Sequence, residues 1–479
     1  MANYVYERLS AQDASFLHFE SANTPMHLSW TWVFEGGTLT APDGGVDIAR
    51  IRQHVASRLY RFPRFRQRLA FTPLEGHPVW VDDEGFKLHY HVRHASLPDP
   101  GDDARLKTTT AAIISQPLDR SKPLWELWVV EGLAGGGFAV VSKTHHCMVD
   151  GVASVDLMTG LLDETPCATA GEAVEWIPRP APSAIALFRD AVVDRLRLAS
   201  RVASDGLAGL GSPGAPVRAL LEIGRALTGG LPRAPETPFN RPVGPHRFVS
   251  WTRLPLEETR RIGRRLGATV GDVMLATIGG ALGAFCARRG WTPSDGTLRV
   301  AVPGNPRPDV ERGMLGNRAS AWILCLPIDE CDPVRRVHAT VAELSRAKGT
   351  SPTSPGEAWL RVAELAGHAG LGAAVRARQW LHSYNLIVTN IPGPRTARHL
   401  LDATLVEAYP QVPLFREQGL AVAVASYRDH LHVGLSADWE VVPDVGELAR
   451  DVRESFAALQ DAAGPSRTPV ERSVATSGD

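Results

Sequence analysis

Apolar residues recur along the chain with two different periods, and the switches between them mark out the elements. From Val46 to Leu59, the residues Ile48, Ile51, Val55 and Leu59 fall at three- and four-residue steps, which predicts a helix. Helices are likewise expected at 102–114, 183–204, 217–228, 268–285, 333–346, 359–382 and 443–459. Ser10 opens a further short helix, with Asp13 three residues on as a variant capping box. Leu28–Phe34, LSWTWVF, is dense in aromatic and β-branched residues and predicts a strand. Other strands are expected at 63–69, 80–92, 127–131, 138–144, 247–254, 297–303, 319–327, 384–394, 419–426 and 431–437. Gly135-Gly136-Gly137 turns the pair 127–131 and 138–144 into a hairpin. Strands and helices mix without strict βαβ alternation, which favours mixed-sheet α/β domains.

A chain of 479 residues exceeds one ordinary core, so two domains are expected. Pro178, Pro180 and Pro182 mark the boundary. The reading is an N-terminal domain over 1–180, a helical connection over 181–237 and a C-terminal domain over 238–462. The tail, 463–479, lacks core residues and is expected to be disordered. The N-terminus has no apolar run of signal-peptide type, and no membrane span is expected. A net charge of −1, with no basic run interleaved with aromatics, argues against nucleic acid as a partner. The five cysteines show no CxxC spacing, so a disulfide framework or zinc site is not expected and a reducing cytoplasm fits.

The chemistry concentrates at the end of strand 138–144, in the pattern HHxxxDG: His145, His146, Asp150 and Gly151, followed by an apolar helical stripe. A base at the end of a buried strand faces a cleft while its backbone stays rigid. Imidazole is basic near neutral pH, and His146 is read as a general base for acyl transfer. Asp150 either orients an imidazole or pairs with a cation to brace the loop. Gly151 permits a backbone angle that bulkier residues resist. Three nominal metal ligands are present, but on a turn rather than one helix face, which ranks a metal site lower. Cys147 offers a thiol beside two histidines, yet the strand pleat turns it away from His146, and packing is the preferred role. No GxSxG elbow occurs. Elsewhere, His89 and His91 share a strand face without a third ligand, and Arg64, Arg66 and Arg68 read as a solvated strand face ahead of an anion site.

HHxxxDG resembles the motif of the chloramphenicol-acetyltransferase-like superfamily of acyl-CoA-dependent acyltransferases. Further stretches narrow the resemblance: LSAQDASFLHFE, PLDRSKPLWE, ATVGDVMLATIGGAL, LGNRAS, NLIVTNIPGP and ASYRDHLHVGLSADWEVVPD. In this order they resemble the bacterial wax ester synthase/diacylglycerol acyltransferase family. That resemblance implies two CoA-dependent-acyltransferase-like domains, each a mixed sheet flanked by helices, with an active-site tunnel between them. It implies transfer of a long-chain acyl group from acyl-CoA, as substrate rather than cofactor, to diacylglycerol or a fatty alcohol. No metal is implied. His146 matches the proton acceptor, and His145, Asp150 and Gly151 match supporting positions. Pro123, Leu124 and Trp125 match a PLW element with a structural or substrate-contacting role. Where the family often has Asn-Asp, this chain has Gly271-Asp272, keeping the acid. The superfamily's motif aspartate commonly pairs with an arginine, and Arg299 is the candidate. Asn390 is a candidate oxyanion donor, with a turn-forming role as the alternative.

Two other readings stand beside this one: a condensation-type enzyme acting on carrier-bound thioesters, and a lipid-binding or droplet-coating protein without activity. Insoluble products suggest a cytoplasmic protein docked peripherally on the inner membrane or lipid droplets. The basic amphipathic segment 183–204, with Arg189, Arg195, Arg197 and Arg201, is the candidate contact; packing on the domains is the alternative.

Overall fold

A computed structural model describes residues 6–36, 39, 41, 45–149, 151–167, 169–209, 234–293, 297–304, 320–349, 367–379 and 383–464. The first half runs β1 (Glu7–Arg8), α1 (Ala11–Phe19), β2 (His27–Phe34), α2 (Ile48–Arg58), β3 (Gln67–Phe71) and β4 (Pro78–Asp82). It continues with α3 (Leu88–His91), β5 (Val92–Ser96), α4 (Asp103–Ser115), β6 (Trp125–Glu131), β7 (Phe138–His145), α5 (Gly151–Leu161) and α6 (Ala184–Gly209). The second half holds β8 (Arg247–Pro255), α7 (Leu256–Leu266), α8 (Val270–Arg288), β9 (Thr297–Gly304), β10 (Ser320–Pro327) and α9 (Pro333–Gly349). It ends with α10 (Gly367–Gln379), β11 (Leu386–Ile391), β12 (His399–Leu400), β13 (Ala403–Gln411), β14 (Leu420–Tyr427), β15 (His430–Asp438) and α11 (Val445–Ala463).

Two six-stranded sheets carry the fold. One has the order β12-β13-β2-β7-β6-β5, the other β10-β9-β11-β14-β15-β8. Both are mixed. β5 is parallel to β6, and β11 is parallel to β9 and β14, while the other neighbours are antiparallel. Helices α8 and α11 cover one face of the second sheet, where Val273, Leu282 and Phe456 meet Val300, Val422 and Leu435 in one core. By length and composition α8 would also cross a bilayer, but two thirds of its apolar window is buried here, which marks it as a core helix.

The first sheet is not built from the first half alone. β13 lies beside β2, with Gln411 opposite Ser29 and Leu405 opposite Phe34. A boundary at residue 238 therefore divides the chain but not the sheets. No strand is expected between 394 and 419 from the sequence pattern. Where the two sheets come together, Gly434 of β15 lies against β13, and a Cβ there would sit 1.7 Å from the Pro410 carbonyl oxygen.

Two expected strands differ. Residues Pro63–Arg66 form a 3-10 turn before β3, because Phe65 tucks inward against Trp125 with ring centroids 5.0 Å apart. The expected strand over 80–92 breaks after Asp82, where the Gly85 N–H bonds to the Asp83 carboxylate. His89 and His91 then fall on the short α3 rather than on a strand face. The helix expected at 217–228 and the tail beyond 464 lie outside the described residues.

Candidate active site

β7 is buried along its whole length between β2 and β6, which makes its C-terminal end a rigid mount. The chain turns there, with the Met148 N–H donating to the His145 carbonyl at 2.9 Å. The His146 N–H donates to the Met26 carbonyl at 2.8 Å, and the His145 N–H to that of Leu124 at 3.0 Å. These backbone bonds set the two rings in different surroundings.

His146 is half-buried and lies flat on Phe16, centroids 3.8 Å apart and planes 6° from parallel. Its Nδ1 is buried. Helix α1 supplies Phe16. Ser10 caps that helix through the Asp13 N–H at 3.0 Å, as the sequence suggests.

His145, expected among the catalytic residues, is fully buried. Its Nδ1 accepts from the Cys147 N–H at 3.1 Å, which leaves Nε2 to face the Glu20 carboxylate at 3.4 Å. Glu20 also accepts from Arg120 at 2.6 Å and from the Met26 N–H at 3.3 Å. Burial pushes the Glu20 carboxyl up, but the close His145 ring and the Arg120 guanidinium outweigh it and hold the pKa at about 2. His27, opposite His145 in the sheet, is also buried, and desolvation holds its pKa well below the usual imidazole range. Phe16, Glu20, Arg120 and His27 are absent from the sequence-derived site. Phe16 and Glu20 sit within the LSAQDASFLHFE stretch, whose family likeness was the available signal.

Asp150 lies outside the described residues. Gly151 opens α5 beside β11: a Cβ there would be 3.1 Å from Ile391 Cδ1. Close approach between the halves, not a left-handed backbone, is thus what the glycine serves. The expected partner of Arg299, Asp150, lies outside the described residues. Arg299 is level with Asn385, whose N–H donates to the Arg299 carbonyl. Ile391, which meets Gly151, lies six residues further along the sheet, about 20 Å away. The Arg299 guanidinium acts on the thiol of Cys325, its cross-strand partner.

Asp272 closes a capping box. Its carboxylate accepts from the Thr269 N–H at 2.7 Å, and its own N–H donates to Thr269 Oγ1 at 3.2 Å. That fixes the start of α8. Asn390 faces that start, with its Nδ2 3.3 Å from where a Gly271 Cβ would be. Trp125 is core: 1% exposed, stacked on His91 at 4.6 Å, with its indole N–H donating to the Phe65 carbonyl at 2.7 Å. Cys147 is buried, which pushes its thiol well up and suits packing rather than attack.

A family model described as the wax ester synthase/diacylglycerol acyltransferase catalytic domain matches residues 9–274. A second, described as the WS/DGAT C-terminal domain, matches residues 315–460. The chain belongs to the wax ester synthase/diacylglycerol acyltransferase family. This member is an acyl-CoA-dependent O-acyltransferase. A Mycobacterium tuberculosis protein named as a diacylglycerol O-acyltransferase is 33% identical over 471 residues, covering 95% of this chain and 90% of its own length. A Mycobacterium bovis protein of the same name is 31% identical over 457 residues, covering 94% and 95%. In fold, the chain resembles the wax ester synthase/diacylglycerol acyltransferase from Marinobacter aquaeolei VT8, with a TM-score of 0.70 at 23% identity, covering 96% of this chain and 100% of the other. The first condensation domain of the CDA synthetase follows at a TM-score of 0.56 and 18% identity, covering 96% and 97%.

Proposed function

We propose that the enzyme moves a long-chain acyl group from acyl-CoA to diacylglycerol, with His146 as the general base and no cofactor. A fatty alcohol is the second acceptor, since the matching family spans both. The observation that carries the proposal is the half-buried His146 ring, fixed by its backbone bond to Met26 and its stack on Phe16.

In this mechanism His146 Nε2 accepts the acceptor's hydroxyl proton while the oxygen attacks the thioester carbonyl. The carbon–sulfur bond then breaks, and His146 returns the proton to the departing CoA thiolate. No acyl-enzyme forms. Holding both substrates together supplies much of the rate. The oxyanion needs a donor, and the exposed Asn390 amide is the candidate. His145, with Glu20 behind it, holds the turn from which His146 projects.

The test is transfer of labelled palmitoyl group from its CoA thioester to diacylglycerol or hexadecanol by purified protein. His146→Ala is expected to abolish product while acyl-CoA binding remains. Substantial residual transfer overturns the assignment. Transfer only from carrier-bound thioesters favours the condensation-type reading instead.

The product is insoluble in water, and α6 supports peripheral docking of a cytoplasmic enzyme on the inner membrane or lipid droplets. Its Leu187 and Ala191 pack inward, but Ile185, Phe188, Val192 and Leu196 are exposed on one helical face, Ile185 at 81%. An apolar stripe among arginines suits the lipid interface. Phe188→Glu with Leu196→Glu should reduce co-sedimentation with anionic vesicles, and unchanged co-sedimentation sinks the idea.

A further inference from the structure

The second half encloses a cavity of about 260 Å³ beneath the first turns of α8. Its walls are apolar, with Met274, Leu275 and Ile278 from α8 facing Val388, Val424 and Leu344. Its rim carries Gly271, Thr389, Asn390 and Lys348. Trp322 closes one side, lying flat against the backbone of Gly304, where a Cβ would sit 1.9 Å from the indole. From Gly271 down to Ile278 is two helical turns, about 10 Å.

The rim opens beside the catalytic turn. Asn390 precedes Ile391, and Ile391 packs on Gly151 at the start of α5. Val388 and Asn390 point to the cavity side of β11, and Thr389 between them contributes backbone to the rim. Gly271 sets the width of the mouth, because any side chain there would meet Asn390 Nδ2, 3.3 Å from the Cβ position.

We propose that this cavity seats the acyl chain of acyl-CoA and that Gly271 keeps its mouth open, so that residue 271 gauges chain length. The proposal rests on the acyl-CoA-dependent transfer put forward above. The volume lies below the ~300–1,000 Å³ usual for drug-sized ligands, which suits one alkyl chain rather than a two-chain glyceride. The exposed Lys348 cation at the rim suits the anionic CoA portion, which a fatty alcohol lacks.

The test needs no turnover. Butyryl-, octanoyl-, lauroyl- and palmitoyl-CoA are titrated calorimetrically into the full-length protein without acceptor. For the unaltered protein, affinity should climb with chain length. Gly271→Val and Met274→Phe should each weaken palmitoyl-CoA by at least about tenfold, the equivalent of roughly two buried methylenes. Butyryl-CoA should weaken by far less, and an unchanged thermal midpoint shows that each variant folds. A uniform loss across lengths, or none in either variant, overturns the proposal. In parallel, transfer from butyryl-CoA is measured with decanol, hexadecanol and two diacylglycerols of different chain length. If the variants shift acceptor preference while acyl-CoA binding is unmoved, the cavity belongs to the acceptor and the proposal fails. Length-graded binding without any transfer would leave the cavity standing and defeat the acyltransfer reading.

Discussion

The rings of Phe16 and His146 lie face to face, 3.8 Å between centroids and 6° from parallel, although one comes from the first helix and the other from the end of β7. The phenyl ring covers one face of the imidazole and fixes its plane. An aromatic pair of this kind contributes about 0.5–1.5 kcal/mol. Phe16→Leu keeps an apolar side chain there but removes the flat contact. Its expected effect is a kcat lower by up to about tenfold with little change in the KM for acyl-CoA. Steady-state kinetics decide, and an unchanged kcat would show that the stack does not hold the base.

Acid should unfold the protein earlier than its carboxylates alone require. Burial holds His77 and His91 at about 4 and His432 at about 3. Each of these values lies below that of the unfolded chain, so below pH ~6.5 the unfolded state binds more protons. The stability these rings contribute is therefore present above pH ~6.5 and is lost as pH falls toward 4. Each adds a slope of roughly 1.4 kcal/mol per pH unit within that window. Glu20 acts at lower pH: its carboxyl, held at about 2, contributes stability above ~4.5 that is lost as pH falls from there. Urea denaturation at a series of pH values should show the decline beginning near 6.5. A flat profile down to pH 4.5 would contradict it.

Trp125 belongs to the PLW element, whose role the sequence leaves open. In the structure it is a core residue with one polar obligation, the 2.7 Å bond to the Phe65 carbonyl. Trp125→Phe strands that carbonyl and should cost about 1–3 kcal/mol. The kcat at a permissive temperature should change little. A large fall in kcat without lost stability would assign the residue to substrate contact.

Gly434→Ala is expected to be severe for a different reason. The added Cβ would sit 1.7 Å from the Pro410 carbonyl oxygen, a backbone atom that cannot rotate away. Overpacking against backbone at the junction of the sheets should cost about 3 kcal/mol or more. Thermal melts of the variant measure it, and a midpoint within a degree or two of the parent would refute it.

What could be read from the sequence was local. The period of α8, the strand before HHxxxDG and the cap at Ser10 are set by neighbours within a few residues, and each appears as expected. What escaped depends on pairing across the chain. β13 carries a proline near its end and lies far in sequence from its partner β2, so no short window announces it. Arg299 is a chemically sound partner for a carboxylate; strand register sets it level with Asn385, and Asp150, its expected partner, lies outside the described residues. Glu20 escaped because a carboxylate at a helix end has no periodic signature; only the fold brings His145 and Arg120 around it.

The order of synthesis gives the pairing of β13 with β2 a further meaning. β2 holds one flank of the strand that delivers His146, yet its own outer flank is closed only by residues 403–411. Until those residues leave the ribosome, Trp30, Trp32 and their backbone groups form an open sheet edge, the kind of surface that invites wrong partners. The enzyme cannot complete its catalytic half first and append the rest. The nascent chain has to shelter that edge, or have it sheltered, through most of its translation.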